Sequence, residues 1–450
     1  MSLPEDVQAL LTEQCETHKM PGASSAYFHD GEMHFASYGV TAIDNPVPVD
    51  EDTLFGIGST SKTLTATAVM ALVERGKVSL EDRVVKHLPD LRLLDEQARD
   101  TVTVGHLLDH TAGWVGDGAT VSGWGDDALD IAVPALLANS PQHAQPGELV
   151  TYNNTAFTLA GLLVGKINES TFEDAVRTLV LEPLGMANTF YLVWDIANRR
   201  HAIGHVATPT GPVAAAQWIT DRWLGPAGGA FSTARDVMTY SRFHLTGETN
   251  AVAPISEESR LLMQQQRSYS RSGVEGAGVS WLLNSRDGLQ LIEHGGNLSN
   301  LMVSTFSLAP TLGLAVSVMG NTAAGSIVGT AVRDLLLDRL SNQPKIAVTP
   351  MTPQPELSEY VGRYASGQWD VEVVELDGTL DFGMRLTNAP EVTEEMRQLF
   401  EAKRTRVTFT EPDVVTPAAA PGAPIGDFIR DGDGTIKFFR TGMRLGLRRG

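Results

Sequence analysis

Residues 55–62 read Phe-Gly-Ile-Gly-Ser-Thr-Ser-Lys, and the interpretation of the whole chain starts from them. The two glycines let the backbone approach closely, and a helical pattern begins directly after them. Ser59 therefore stands at or near a helix N-terminus, where free N–H groups and the helix dipole favour negative charge. Lys62 follows one turn later on the same face, because residues three apart on a helix are neighbours. The spacing predicts a serine nucleophile with a lysine base, a known arrangement for acyl transfer.

The Ser-x-x-Lys spacing alone is weak evidence, since an N-capping serine followed by a solvated lysine shows the same pattern. Ser59 is, however, the only serine of this chain with a lysine three residues on. The helix that follows, with Gly76 as its predicted C-cap, is apolar on most of its surface, which indicates burial. Burial would desolvate Lys62, lower its pKa and make a neutral amine accessible near neutral pH.

The composition is that of an ordinary globular protein, with 42% hydrophobic and 20% charged residues among 450. A net charge of −20 argues against nucleic acid and anionic membranes as partners. The single cysteine, Cys15, permits no internal disulfide. The acidic N-terminus lacks the apolar core of a secretory signal, and no apolar run reaches the ~20 residues of a membrane span. We therefore expect a cytoplasmic protein.

Strand patterns stand at both ends of a long helical region. Two strands flank a predicted turn at 29–31, and further strands are predicted between 278 and 319, before a last helix over 323–340. The N-terminal strands must join a sheet built mostly from the C-terminal half, because a largely helical insert at about 80–230 separates them. We predict an α+β fold in which an antiparallel sheet is flanked by helices, with a cleft between sheet and helices.

The last hundred residues have a different pattern. Residues 344–355 carry four prolines and are predicted to be a linker. Beyond it, 356–450 show short strand patterns separated by turns, which predict a small antiparallel β-barrel or sandwich. Residues 414–424 are rich in proline and alanine and are predicted to form a loop. The expected domains are therefore 1–343 and 356–450.

Two further motifs could supply the groups that acyl transfer needs beside Ser59 and Lys62. Residues 152–154 read Tyr-Asn-Asn, the only Tyr-x-Asn step in the chain, and precede an apolar helix. A tyrosine beside a lysine can pass a proton, but the same residues could equally pack a loop and cap the helix. Residues 294–297 read His-Gly-Gly-Asn after a predicted strand, and the two glycines would let a ligand approach the backbone closely.

In this order, the three motifs resemble those of the serine β-lactamase and penicillin-binding protein superfamily. The chain looks closest to the class C-like branch, which includes esterases, D-aminopeptidases and alkaline D-peptidases. The resemblance covers about residues 5–340 and is supported by the stretches 104–113, 146–147 and 181–186. Residues 357–364 look like the opening of the lipocalin-like barrel appended to many of these hydrolases. The resemblance implies a β-lactamase-like fold followed by a lipocalin-like β-barrel.

The resemblance also implies a role for each motif residue. Ser59 would attack a carbonyl carbon and form an acyl-enzyme, while Lys62 and Tyr152 exchange the protons. The implied substrate-binding and oxyanion residues are Asn154, His294, Gly295, Gly296 and Asn297. The backbone N–H groups of the nucleophile and of the asparagine at 297 would form the oxyanion hole. Water would then release the acyl group, and no metal or cofactor is implied.

The third motif departs from the penicillin-targeting members, which carry Lys-Thr-Gly where this chain has His294-Gly295-Gly296. A neutral imidazole holds a carboxylate less firmly than a lysine, which argues against strong β-lactamase activity. We therefore expect a serine hydrolase of a small ester, amide or D-peptide, either an esterase or a D-amino-acid peptidase or amidase. The alternatives are a biosynthetic acyltransferase, a weak β-lactamase or a penicillin-binding sensor without turnover. A homo-oligomer is compatible with the sequence.

Overall fold

A computed structural model of the chain describes residues 2–216, 221–249, 251–367, 369–386 and 404–449. Its helices are α1 (Leu3–Thr17), α2 (Ser61–Glu74), α3 (Val84–His87), α4 (Glu96–Thr101), α5 (Val104–Leu108), α6 (Ala128–Leu137), α7 (Asn154–Asn168), α8 (Phe172–Val176), α9 (Glu182–Leu184), α10 (Val193–Ile196), α11 (Gly225–Gly228), α12 (Ala234–Thr246), α13 (Glu257–Met263) and α14 (Gly325–Leu340).

The strands of the first part are β1 (Gly22–His29), β2 (Glu32–Gly39), β3 (Phe55–Gly56), β4 (His205–Thr208), β5 (Gly211–Ala214), β6 (Phe231–Ser232), β7 (Ser268–Tyr269), β8 (Gly276–Ala277), β9 (Leu282–Arg286), β10 (Leu289–Glu293), β11 (Gly296–Leu298), β12 (Met302–Ala309) and β13 (Leu314–Gly320). Those of the C-terminal part are β14 (Gly362–Ala365), β15 (Trp369–Leu376), β16 (Thr379–Leu386), β17 (Arg404–Glu411), β18 (Val414–Pro417), β19 (Gly426–Arg430), β20 (Ile436–Thr441) and β21 (Arg444–Arg449).

An antiparallel sheet forms the centre of the first part, in the order β2-β1-β13-β12-β10-β9-β8-β7, and β11 pairs with β12. Strand β1 pairs with β13 from Ala23, opposite Gly320, to Phe28, opposite Ala315. The N-terminal hairpin thus joins a sheet made from the C-terminal half, as predicted. Apolar side chains of α1 and α14 pack on one face of this sheet, and those of α12 pack on the other. Strands β1 and β13 are therefore buried between these helices.

Helix α2 is buried from Ser61 to Leu72, which confirms the prediction from its apolar pattern. It packs against α7 and α11 and belongs to the same apolar core as the inner face of the sheet. The region between the sheet halves is largely helical, with the short pairs β3–β6 and β4–β5 added. Helices α2 and α7, which carry Lys62 and Asn154, consequently lie where the helical region meets the sheet.

The C-terminal strands β14 to β21 close into an eight-stranded antiparallel barrel, which confirms the predicted fold class. Its interior is aromatic, with Tyr364, Phe409 and Phe439 all buried. The loop predicted at 414–424 is wrong in its first part, because residues 414–417 form β18 and pair with β17 and β19. The reason is that the two valines of this segment are buried, and their burial stabilises the strand. The prolines and alanines that follow them in the sequence made the whole stretch resemble a loop.

The barrel contacts the first part through the turn between β20 and β21. The N–H of Tyr152 donates to the carbonyl of Met443 at 2.8 Å, and the N–H of Leu445 donates to Thr151 Oγ1 at 3.3 Å. This turn therefore lies beside the Tyr-Asn-Asn motif. Within the residues that the structure describes, every helix is too short or too polar to cross a membrane.

Candidate active site

A glycine-dependent turn presents Ser59 at the start of α2. Gly58 has φ of +52°, a left-handed conformation that glycine adopts without strain. A Cβ atom at Gly58 would lie 2.6 Å from the backbone nitrogen of Asn297, so the turn and β11 are in close contact. The hydroxyl of Ser61 donates to the Gly58 carbonyl at 2.6 Å and accepts from the N–H of Ala230 at 3.0 Å. These bonds fix the backbone on which Ser59 stands.

The amine of Lys62 is completely buried and contacts three oxygen atoms. It lies 3.1 Å from Ser59 Oγ, 2.7 Å from Asn154 Oδ1 and 2.5 Å from the carbonyl oxygen of Ala227. The three contacts come from the 3₁₀ turn before α2, from α7 and from α11. The i, i+3 relation between Ser59 and Lys62 that the sequence predicted is thus present, and the lysine is held by two further elements.

The Lys62 amine lies in an environment that disfavours its charge. Burial lowers the pKa of Lys62 well below its usual range, and the positive charge of Arg444 lowers it further. The Asp117 carboxylate acts in the opposite direction. The desolvation expected from the sequence is therefore found, together with two charged neighbours that the sequence analysis did not anticipate.

The three residues of the Tyr-Asn-Asn motif have different contacts. Asn153 is the N-cap of α7, where its side chain accepts from the N–H of Ala156 at 2.8 Å. Asn154, the first residue of α7, contacts Lys62 instead. The ring of Tyr152 lies with its centroid 4.8 Å from the Lys62 amine. The capping alternative that the sequence left open thus applies to Asn153, whereas its two neighbours face the buried lysine.

Burial raises the pKa of Tyr152 well above its usual value, although a hydrogen bond with Ser59 and the charge of Arg444 both favour the phenolate. Its ring stacks on His110 with centroids 4.4 Å apart and an interplanar angle of 27°. His110 Nδ1 in turn accepts from the N–H of Asn153 at 3.1 Å. The phenol is therefore neutral at ordinary pH, and the imidazole beneath it fixes the position of the ring.

His294 is buried with 1% of its surface exposed. Its Nδ1 donates to the Gly295 carbonyl at 2.8 Å, so the neutral ring carries its lone pair on Nε2. Within the described residues, Nε2 has no hydrogen-bond partner. Burial lowers the pKa of His294 to about 3, the charge of Lys62 contributes in the same direction, and the Gly295 bond opposes both. The His294 side chain is therefore an uncharged hydrogen-bond acceptor. Its ring centroid lies 6.3 Å from that of Tyr152.

The two glycines after His294 differ in their surroundings. A Cβ atom on Gly296 would lie 1.8 Å from the carbonyl oxygen of Ile57, which leaves no room for any other residue. A Cβ atom on Gly295 would meet only the Ser304 carbonyl, at 3.4 Å. The absence of a side chain at 296 is what brings the backbone of Asn297 against the turn that carries Ser59.

All eight residues singled out from the sequence lie on or beside the elements that meet around Lys62, and two further residues of this region were not predicted. Asp117 Oδ1 accepts from Asn154 Nδ2 at 2.8 Å, and Arg444 of the barrel forms an ion pair with Asp117. Asp117 stands between Gly116 and Gly118, which is a local signal of an unusual backbone. No local signal could have shown Arg444, because it is 327 residues away from its partner.

Comparisons with known proteins agree with this fold. The family model described as Beta-lactamase matches residues 7–338. "Penicillin-binding protein 4" of Amycolatopsis lactamdurans is 32% identical over 374 residues, which span 80% of this chain and 96% of that protein. The structure of SurE matches with a TM-score of 0.78 and 24% identity over 99% of both chains. D-amino acid amidase from Ochrobactrum anthropi SV3 matches with a TM-score of 0.63 and 20% identity, over 75% of this chain and 99% of that one.

The two structural matches concern the fold, and the SurE match extends over the barrel as well. The family model and the Amycolatopsis relative carry the assignment. They confirm the resemblance predicted from the three motifs, and they support serine hydrolase-type activity. The chain is a member of the β-lactamase family.

Proposed function

We propose that this protein is a serine hydrolase that cleaves a small ester or amide through an acyl-enzyme on Ser59. The observation that carries the proposal is the contact of 3.1 Å between Ser59 Oγ and the buried amine of Lys62. A hydroxyl becomes a useful nucleophile only when an adjacent base takes its proton. The arrangement supports Lys62 as that base.

A neutral Lys62 fits its three oxygen neighbours, as does a protonated one, which would donate to all three. A neutral amine has two N–H donors and one lone pair. Asn154 Oδ1 and the Ala227 carbonyl can only accept, so they use both donors. The lone pair then faces the remaining neighbour, the hydroxyl of Ser59. The lowered pKa of Lys62 makes this neutral state accessible.

In the proposed acylation, Ser59 Oγ forms a bond to the carbonyl carbon while its proton moves to Lys62. The bond from that carbon to the leaving oxygen or nitrogen breaks, and Tyr152, which is neutral, gives the leaving group a proton and regains one from Lys62. The backbone N–H groups of Ser59 and Asn297 would hold the oxyanion, a role supported by the contact between β11 and the Gly58 turn. Water then cleaves the acyl ester by the reverse proton movements.

His294 supports a substrate without a carboxylate at this part of the site. It is neutral and offers a lone pair, so it would accept a hydrogen bond from an N–H or O–H group and would not attract an anion. An amide of a D-amino acid has N–H donors and no carboxylate, and a carboxylic ester also lacks the anion. The D-amino acid amidase among the structural neighbours shares the fold, and amidase activity is one of the two activities proposed for this site.

The test compares wild type, Ser59→Ala and Ser326→Ala on p-nitrophenyl acetate and on the D and L forms of alanine p-nitroanilide. Ser326 is exposed on α14 and is the matched control. Turnover that is lost only in Ser59→Ala supports the proposal, and preference for the ester or the D-anilide distinguishes esterase from amidase. Turnover that survives in Ser59→Ala contradicts it. Equal inactivity of all three proteins would favour acyl transfer to another acceptor, or sensing.

A second candidate, acylation by a penicillin without rapid release, is favoured by the name of the relative that is 32% identical. Benzylpenicillin would then leave a stable adduct on Ser59, visible by intact-protein mass spectrometry. The adduct should be absent from Ser59→Ala and present in Ser326→Ala. Complete absence of an adduct in wild type excludes this candidate and leaves the first one untouched.

A further inference from the structure

The turn between β20 and β21 of the barrel is shaped to contact the candidate active site. Gly442 and Met443 have φ of +53° and +61°, the geometry of a two-residue type I′ hairpin turn. Glycine or asparagine suits such positions, whereas a methionine there is strained. Met443 is nevertheless buried against Val150 and Tyr152, and its carbonyl accepts from the N–H of Tyr152 at 2.8 Å. The strained residue is thus used to hold the barrel against the Tyr152 segment.

Arg444, the next residue, brings a positive charge to the same place. Its Nε and Nη2 donate to both carboxylate oxygens of Asp117, the second over 3.2 Å. Its guanidinium carbon lies 4.7 Å from the ring centroid of Tyr152. Burial favours a neutral Arg444, but the Asp117 carboxylate outweighs this effect and the pKa of Arg444 is raised. The two side chains therefore form an ion pair that is largely shielded from solvent, with 28% and 12% exposed.

Asp117 determines how the amide of Asn154 is turned. A carboxylate only accepts hydrogen bonds, so the NH₂ group of Asn154 must face Asp117, at 2.8 Å. The amide oxygen then necessarily faces the Lys62 amine, at 2.7 Å. In the opposite orientation the amide would present N–H groups to Lys62 and compete for the lone pair that Ser59 needs.

We propose that Asp117 and Arg444 are positioning residues, through which the C-terminal barrel holds Asn154 and Lys62 in the proton-accepting arrangement. The proposal rests on the proposed function, because it assigns these residues to the activation of Ser59. It makes the barrel a part of the active site and not an independent appendage. The contacts of Met443 and Arg444 both run from the same turn to the same site.

The groups that face Lys62 show which charges matter. The titratable neighbours are Tyr152, His110, His294, Asp117 and Arg444. The tyrosine and both histidines stay neutral, since burial raises the pKa of the phenol and lowers that of each imidazole. The charges that act on Lys62 are therefore those of the ion pair. Removal of the arginine leaves a carboxylate that favours protonated Lys62, and removal of the carboxylate has the opposite effect.

The experiment measures the pKa of Lys62 directly, by NMR titration of protein labelled with [ε-¹³C]lysine. The chain contains eight lysines, and the signal that is missing in Lys62→Met identifies the right one. Arg444→Gln should raise the pKa of Lys62 by about 1–3 units. Asp117→Asn should lower it, and the double variant should return toward the wild-type value. Arg444→Lys, which keeps the charge, should shift it least.

Activity provides the second readout. In Arg444→Gln, the acidic limb of the pH profile of kcat/KM should shift to higher pH. Activity that is lost at neutral pH should then be regained at higher pH, and KM should change little. Arg406→Gln is the control, because it breaks a barrel ion pair with Asp381 that has no contact with Lys62. It should leave both the titration and the profile unchanged. Asp117→Asn serves as the test variant if Arg444→Gln does not fold, because it removes the other charge of the ion pair.

Two results would overturn the proposal. One is a Lys62 signal whose pKa is the same in wild type, Arg444→Gln and Asp117→Asn. The other is a loss in Arg444→Gln that is confined to KM for substrates with a free carboxylate, which would make Arg444 a substrate-binding residue. Failure of the proposed function looks different: the Lys62 pKa would respond to the variants, but Ser59→Ala would retain wild-type activity.

Discussion

The carbonyl oxygen of Ala227 lies 2.5 Å from the amine of Lys62, so a main-chain atom of α11 is one of the groups that hold this amine. The helix that carries Lys62 is bound to the same segment by a second contact, from Thr65 Oγ1 to the Pro226 carbonyl at 2.8 Å. Because these acceptors belong to the backbone, no side-chain substitution removes them. The lysine amine is therefore fixed in place more firmly than its four-carbon side chain would suggest.

The first prediction concerns Lys62 itself. Lys62→Met keeps an unbranched side chain, one heavy atom shorter, that cannot accept a proton, so kcat/KM on an ester substrate should fall by about 10²- to 10⁴-fold. Lys166→Met, which removes an exposed amine paired with Asp130, is the control and should retain full activity. Steady-state hydrolysis assays measure both. Wild-type activity in Lys62→Met would remove the lysine from the mechanism.

The second prediction is the direction of the pH dependence. Proton abstraction needs neutral Lys62, so kcat/KM should rise as pH rises through the pKa of Lys62. Because burial lowers this pKa, the midpoint should lie well below the ~10.4 of a free lysine. Rate profiles across the neutral and alkaline range measure the midpoint. A profile that falls with rising pH across the same range would mean that a protonated group is required instead.

The third prediction is that His294 contributes nothing to this profile. Its pKa of about 3 keeps it neutral wherever the enzyme is active. His294→Asn retains a donor for the Gly295 carbonyl and is always neutral, so substrate affinity should change while the midpoint of the profile stays in place. Measuring the pH dependence of kcat/KM in wild type and in His294→Asn tests whether the midpoint stays in place. Disappearance of a limb near the ordinary histidine pKa would contradict the prediction.

The fourth prediction compares the adjacent glycines of the third motif. Gly296→Ala must displace the backbone beside Ser59, since its Cβ atom would lie 1.8 Å from the Ile57 carbonyl. If Asn297 donates to the oxyanion, kcat should fall by about 10²- to 10³-fold. Gly295→Ala is the matched control, because its nearest neighbour would be 3.4 Å away. Equal activities of the two variants would contradict an oxyanion role for this segment.

The fifth prediction concerns the stability of the barrel. Arg440 and Asp427 form a buried ion pair, with each side chain 6% exposed, and Arg440 also donates to the Val150 carbonyl at 3.3 Å. Asp427→Ala leaves a buried charge unpaired and should reduce the free energy of unfolding by about 3–5 kcal/mol. Glu372→Ala removes the exposed partner of Arg404 and should cost less than about 1 kcal/mol. Denaturant unfolding of both variants tests this difference, and equal losses would contradict it.

The sequence by itself determined the features that depend on neighbours along the chain. The 3₁₀ turn and helix that carry Ser59 and Lys62 follow from Gly58 and from the apolar run of α2, and an i, i+3 spacing brings the two side chains together without help from the rest of the fold. The period of the apolar residues also predicted the N-terminal hairpin and the final helix α14, to within a few residues.

Only the tertiary structure decided which distant groups surround the lysine amine. Asp117 lies between two glycines and Arg444 follows the turn between β20 and β21, and their pairing depends on the docking of the barrel. Strand β18 was missed for a different reason, because the prolines and alanines that follow it obscured the strand tendency of Val414, Val415 and Thr416. Local sequence sets backbone preferences, whereas the charge around Lys62 depends on residues that meet only after the chain has folded.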